Sequence, residues 1–211
     1  MKEYHKIQTV FKRDDKTHRV IEGIFSLPEF EYLQNNKWIW TEKVDGTNIR
    51  IIWDKEKVKY GGKTDNASIP AFLIERLQQL FPIEKLKALY PDISMCLYGE
   101  GYGAKIQKGG ENYNLNGVDY VLFDIKIENW WLMREGVEDI ADKLELKVVP
   151  IIGQGTLNEM IEKVKIGLNS QWGDFIAEGI VAKPQIELLN RMGHRIITKI
   201  KYKDFDKGAS R

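Results

Sequence analysis

Cysteine is nearly missing from this 211-residue chain. Cys96 stands alone in an apolar stretch at residues 93–97, so neither an intrachain disulfide framework nor a cysteine-built zinc knuckle can form. Histidine is scarce too: His5, His18 and His194 lie far apart and none belongs to an HExxH pattern, which argues against a histidine-rich metal site. Nowhere do about 18 apolar residues run together, and Met1-Lys2-Glu3-Tyr4-His5-Lys6 opens with charge. The expectation is a cytoplasmic chain without a membrane span or secretory leader. Neither sign of charge dominates, since 32 Lys+Arg face 31 Asp+Glu for a net +1. A bulk polycation that coats nucleic acid or membrane is thereby excluded, and any polyanion must be met by local patches.

What is present describes a globular protein. With 43% hydrophobic and 30% charged residues the chain can bury a full core, and residues 1–211 are expected to form one domain. The near-neutral balance hides a gradient: residues 128–182 hold 5 basic against 10 acidic residues, and residues 183–211 hold 8 against 3. Strand-type runs rich in Ile, Val, Trp, Tyr and Phe occur at 37–43, 47–53, 93–98, 120–127, 148–152, 178–182 and 195–202. Helical periodicity predicts helices over 70–81, with Ser68 as cap, over 137–146, and over 157–168 behind the capping box Thr156-Leu157-Asn158-Glu159. Strands outnumber helices and arrive in runs, which argues for an α+β fold with mostly antiparallel sheets. There is no internal repeat, low-complexity tract or long linker.

Six constellations could carry chemistry, and each has a plain structural reading beside it. Glu42-Lys43-Val44-Asp45-Gly46-Thr47-Asn48 lies between two strand-like runs. It reads either as an Asp-Gly hairpin turn with a solvated lysine or as a lysine nucleophile beside a carboxylate. Tyr60-Gly61-Gly62-Lys63-Thr64 resembles the end of a phosphate-binding P-loop, but the required earlier glycine is Lys57, so that motif fails. What remains is a turn, or a lysine reaching a phosphate. Tyr98-Gly99-Glu100-Gly101-Tyr102-Gly103 surrounds one carboxylate with glycine, as an irregular turn or a close backbone approach to a ligand would. Phe123-Asp124 interrupts an apolar strand. Glu178-Gly179-Ile180-Val181-Ala182-Lys183 has an acid at its entrance and a lysine at its exit. Alternation in Lys199-Ile200-Lys201-Tyr202-Lys203 puts the lysines on one face about 6.6 Å apart, a protected edge or a cationic stripe.

Taken in order, Lys-x-Asp-Gly, Gly-Glu-Gly, Phe-Asp-Ile, Glu-Gly-Ile-Val-x-Lys and Lys-x-Lys resemble motifs I, III, IIIa, IV and V of the covalent nucleotidyltransferases. That superfamily comprises ATP-dependent RNA and DNA ligases and mRNA capping enzymes. Asn48, five residues after Lys43, makes the chain most similar to the RNA ligase 2 branch. The resemblance spans residues 42–201 and implies a nucleotidyltransferase core, the ATP-grasp-like ligase adenylation fold, with mostly antiparallel sheets flanked by helices. It implies ATP as the nucleotide and Mg²⁺ or Mn²⁺ as the metal. Lys43 would be the nucleophile that takes AMP from ATP. The AMP then passes to a 5′-phosphate RNA end, which a 3′-OH attacks.

The remaining assignments follow from the same resemblance. Glu178 and Asp45 would serve the metal. Glu42, Asn48, Glu100 and Phe123 would bind the nucleotide, Phe123 by stacking on adenine and Glu100 through a ribose hydroxyl. Lys63, Lys183, Lys199 and Lys201 would contact phosphates, and Lys199 and Lys201 would also depress the pKa of Lys43, which is protonated near neutrality when free. Ten residues follow Lys201, which sets the expectation of a stand-alone adenylyltransferase domain without an OB-fold, its grip on RNA aided by an accessory RNA-binding protein. A minimal DNA ligase, a GTP-using capping guanylyltransferase and a non-catalytic RNA-binding module are the alternatives.

Overall fold

Alternation at period two decides which side of each strand is buried. In Thr47–Trp53, Ile49, Ile51 and Trp53 are all fully excluded from solvent in the computed structural model, on the face opposite Asn48, Arg50 and Ile52. The structure describes residues 3–205, so the basic positions Lys207 and Arg211 of the C-terminal block lie outside the described residues. In chain order the elements are β1 (Gln8–Thr9), β2 (Phe11–Arg13), β3 (Val20–Phe25), α1 (Pro28–Tyr32), β4 (Trp38–Glu42), β5 (Thr47–Trp53), β6 (Val58–Gly61), α2 (Ala71–Leu80) and α3 (Ile83–Leu89). They continue with β7 (Met95–Gly103), β8 (Val118–Ile127), β9 (Trp130–Trp131), α4 (Arg134–Leu144), β10 (Lys147–Val148), β11 (Ile151–Gly155), α5 (Leu157–Ile166), β12 (Gly179–Pro184) and β13 (Thr198–Lys201). Mixed α/β content with mostly antiparallel sheets matches the class expected from the sequence.

The chain divides into two compact units, the first made of residues 45–149 with residues 3–5, the second of Lys6–Val44 with residues 150–205. The first is a sheet in the order β10-β8-β7-β5-β6, antiparallel except for β10 beside β8, with the short β9 also paired to β8. Leu73 and Leu77 of α2 and Val137, Ile140 and Ala141 of α4 close one face of it over Ile49, Ile51, Leu97 and Leu122. Trp53 is buried in that core and satisfies its indole N–H on the Tyr90 carbonyl at 2.9 Å.

The second unit carries a sheet in the order β1-β13-β12-β4-β11, with β1 parallel to β13 and the other pairs antiparallel. Trp38 and Trp40 of β4 and Ile180 and Ala182 of β12 point into a core completed by Leu157, Met160, Ile161 and Val164 of α5. β2 and β3 form a separate two-stranded ribbon in this unit. The capping box expected at Thr156 and Glu159 is formed.

Four local readings change. Residues 148–152 are not one strand: Val148 ends β10 in one sheet and Ile151 begins β11 in the other, with Pro150, which has no N–H to give to a ladder, between them. The Asp45-Gly46 dipeptide is not a hairpin turn, because β4 pairs with β11 and β12 while β5 pairs with β6 and β7. Helix α2 starts behind Pro70 without a side-chain cap, so Ser68 does not cap it. Helices α1 and α3 escape the periodicity reading because five and seven residues hold too few turns to show one.

The glycines around Glu100 have packing causes. A Cβ on Gly99 would lie 2.2 Å from the Tyr120 ring and 2.4 Å from the Val121 carbonyl oxygen, and one on Gly101 would meet Leu73 at 2.7 Å. Gly103 has φ +117°, a conformation L side chains rarely adopt. Gly99→Ala is therefore expected to cost about 1–3 kcal/mol, since the ring and the neighbouring strand must both shift. Urea denaturation of the variant checks this; an unchanged midpoint would show that the sheet yields there freely.

Candidate active site

Lys43 is placed by the strand that precedes it. Trp38, Trp40 and Glu42 alternate into the core of the second unit, and the ladder of β4 ends at Glu42. The Lys43 N–H then bonds to the Gly179 carbonyl at 3.0 Å, so the lysine sits at the end of the sheet beside the start of β12. Glu178 immediately precedes β12, and its carbonyl accepts the Tyr202 N–H at 2.9 Å. The register of β12 on β13 sets Gly179 opposite Lys201. Three residues distant in sequence thus share one strand-end corner.

Their side chains meet there. The Glu178 carboxylate accepts the Lys43 ammonium on Oε2 and the Lys201 ammonium on Oε1. The carboxylate is 9% exposed and the two lysine side chains 18% and 23%. One anion therefore bridges two cations in a partly desolvated corner, and removing it would leave like charges facing each other. Lys199 is on the same face of β13 as Lys201, with Val181 and Thr9 as cross-strand neighbours, and Lys183 is on that face of β12. This corner and the adjoining strand face carry Lys43, Lys183, Lys199 and Lys201, with Glu178 bridging Lys43 and Lys201, a surface suited to a multiply charged phosphate ligand.

Glu42 has a different environment from its neighbour. It is 1% exposed on the core side, where its carboxylate accepts the Ser170 hydroxyl at 2.6 Å and the Gln171 N–H at 2.8 Å. Burial pushes its pKa up, against the opposing pull of the Gln171 N–H and the Ser170 hydroxyl. Glu42 so anchors the loop before β12. Ser170 and Gln171 escaped the sequence reading because nothing local marks a serine and a backbone amide as partners of a carboxylate more than a hundred residues away.

The other predicted residues belong to the first unit. Asn48 of β5 lies directly across from Glu100 of β7, and the Asn48 Oδ1 is buried with no protein donor. β7 pairs Tyr98 with Asp124 and then Gly99 with Leu122, so Phe123 is the extra residue of a bulge in β8. Strict alternation would set Phe123 and Asp124 on opposite faces. Instead Tyr4 reaches both, its hydroxyl donating to the Asp124 carboxylate and its ring meeting that of Phe123 edge-on at 5.1 Å. Tyr4 and Asp124 have only a carboxylate within an apolar strand as a sequence signal. Asp45 opens the first unit, and the carbonyl of the next residue, Gly46, accepts the Gln107 side-chain amide at 3.2 Å. Lys63 is exposed on the turn after β6.

No cluster of three or more His, Cys, Asp or Glu able to cage a metal occurs among the described residues. Mg²⁺ does not require one, since it keeps several waters and takes one or two carboxylates plus phosphate oxygens. Glu178 fits such a role by donor type, and the unsatisfied Asn48 Oδ1 is an oxygen of the right class for a bound water.

Comparison with known proteins bears on the family and the fold. The family described as RNA ligase matches residues 36–202. Among solved structures, a lysine-to-alanine mutant of Naegleria gruberi RNA ligase with ATP and Mn superposes with a TM-score of 0.65 at 21% identity, over 82% of this chain and 52% of that one. A glutamate-to-alanine mutant of the same ligase with AMP and Mn gives 0.67 at 21% identity, over 85% and 54%. The same ligase with PPi gives 0.65 at 20% identity, over 95% and 62%. The chain spans about half the length of the first of these, and the likeness is one of fold.

Glu42 yields a prediction independent of catalysis. A carboxyl whose pKa is raised by folding contributes stability that is present below its ordinary value of 4.5 and is lost as pH rises through the raised value. Unfolding free energy should therefore contain a component that falls from pH 4.5 upward, and Glu42→Gln, which keeps an acceptor for Gln171, should remove it. Urea titrations across that range test the point. An identical pH slope in both proteins would show that Glu42 does not titrate there.

Proposed function

The chain belongs to the RNA ligase family, and on that premise we propose that it is an ATP-dependent RNA ligase that joins 5′-phosphate and 3′-OH ends. The observation that carries this reading is the meeting of Lys43, Glu178 and Lys201 inside the matched segment. The Lys43 Nζ attacks the α-phosphorus of ATP, and the bond from that phosphorus to the β-phosphate oxygen breaks. Pyrophosphate leaves with the electron pair, and lysyl-AMP remains. The AMP then moves to the RNA 5′-phosphate, and the 3′-OH displaces it.

The resting geometry explains how such a lysine is kept and released. Paired with Glu178, Lys43 is held as an ammonium and cannot attack. Lys201, on the other oxygen of the same carboxylate, leaves Glu178 with less charge to give Lys43, and Lys199 adds a further cation on that face. Both effects favour loss of the Lys43 proton once Glu178 turns elsewhere. A divalent cation held by Glu178 would supply counter-charge to the phosphate oxygens. Lys183, Lys199 and Lys201 stabilise the negative charge that builds on the phosphate. Glu42, Glu100 and Phe123 bind the nucleoside, with Glu42 acting through the loop it anchors.

We assign the whole of residues 1–211 to one adenylyltransferase catalytic domain in the cytoplasm, with RNA as its partner. Among the described residues no helix is long and apolar enough to cross a membrane. The family match does not favour the DNA ligase or capping alternatives.

Incubation with α-³²P-ATP and Mg²⁺ should label the protein, and Lys43→Ala should abolish the label; label that survives would remove Lys43 from its role. Glu178→Ala is expected to lower the rate of adduct formation by about 100-fold, the scale of losing one electrostatic stabiliser. A panel of nicked duplex RNA, nicked duplex DNA and single-stranded RNA then separates the nucleic-acid classes. Sealing of DNA in preference to RNA would overturn the substrate assignment.

A further inference from the structure

Arg50 and Asp124 are the two buried charged residues of the first unit, and the alternation of β5 gives Arg50 no place in the apolar core. Ile49 and Ile51 take that core, so Arg50 leaves on the face shared with Asn48, where it is only 1% exposed. A guanidinium at such depth needs partners. Its Nε donates to the Gly62 carbonyl at 2.8 Å and its Nη2 to the Asp65 carboxylate at 2.8 Å, while Nη1 is buried with no partner. The bed beneath it is glycine: a Cβ on Gly61, directly opposite Arg50 in the ladder, would lie 3.1–3.2 Å from three guanidinium atoms. Gly62 is tight for another reason, since its Cβ would approach that of Ala67 to 2.7 Å.

The two groups that Arg50 holds flank Lys63. Gly62 precedes it and Asp65 follows two residues later, so a single side chain ties down both sides of the turn that carries the exposed lysine. Two more bonds tighten the turn, from the Ala67 N–H to the Thr64 carbonyl at 3.1 Å and from the Asp65 N–H to the Glu3 carboxylate at 2.9 Å. A long, flexible lysine contributes little to phosphate recognition unless its backbone is fixed, because its ordering must be offset by the contact it makes. The planar fork of arginine can grip a carbonyl and a carboxylate together, which lysine cannot do.

We propose that Arg50 is a positioning residue of the ligase, one that acts through Lys63 by fixing the 61–65 turn so that the lysine ammonium meets a phosphate oxygen. This rests on the ligase reading above. The phosphate belongs either to the triphosphate of ATP or to the 5′ end of the RNA, and two assays distinguish them. The first follows protein adenylylation as ATP is varied. The second follows sealing of RNA that already carries a 5′-adenylate and so needs no ATP.

Lys63→Ala, Arg50→Lys and the double variant are compared with the unaltered protein in both assays. Each single change should lower kcat/KM by about 10- to 100-fold in one and the same assay, the loss typical of a misplaced contact. The double variant should fall no further than the worse single variant, since both remove the same contact. Multiplied losses would overturn the proposal, as would Arg50→Lys or Lys63→Ala retaining unaltered kcat/KM in both assays. Should Arg50→Lys lose its cooperative melt, Asp65→Ala carries the test, because that carboxylate is 79% exposed and removes one anchor only. Its expected effect is a smaller loss that disappears when Lys63 is already alanine; a loss that persists there refutes the coupling. An unaltered protein that takes no label from ATP overturns the ligase reading and this proposal together, whereas labelling with multiplied losses overturns this proposal alone.

Discussion

One carboxylate organises the corner at which β4 and β13 end and β12 begins. Glu178 lies between the ammonium groups of Lys43 and Lys201, and each of the three is set there by main-chain hydrogen bonds. Backbone ladders tolerate little displacement, so the side chains they deliver arrive in a narrow range of positions. A buried or half-buried charge triad of this kind is poor as a source of stability, because desolvation offsets much of the attraction. Its consequence is geometric: one carboxylate fixes the positions of two lysine side chains, one just past β4 and one at the end of β13.

The same economy governs the first unit, where residues that look like ligand chemistry are divided between ligand and packing. Gly99 and Gly101 leave room for Tyr120 and Leu73, and Gly61 leaves room for the Arg50 guanidinium. Glu100 and Lys63 are the charged residues beside these glycines. The bulge in β8 acts similarly, since one extra residue brings Phe123 and Asp124 within reach of the same Tyr4 side chain without altering the apolar face beneath.

Much of the fold was legible because its strands alternate strongly. Thr47–Trp53 and Trp38–Glu42 announce themselves by tryptophan and isoleucine at every second position, and α5 by its capping box. Legibility failed where a residue answers to something remote. Pro150 divides an apolar run between two sheets, a fact invisible without the strands on either side. Asp45-Gly46 satisfies every local criterion for a hairpin and is not one, since its flanking strands find other partners. Nothing in the sequence marks Arg50, and it is buried because the turn after β6 folds back over it.

By itself the sequence pointed to the family, because ordered short motifs record which functional groups are present and in what succession. Lys43, Glu178 and Lys201 could be named from that order alone. Only the tertiary structure decided that one carboxylate joins the two lysines, that Glu42 turns inward to hold Ser170 and Gln171, and that Arg50 grips both sides of Lys63. Those are contacts between residues remote in sequence or brought together by a turn. Their geometry depends on strand register and burial, which no local pattern encodes.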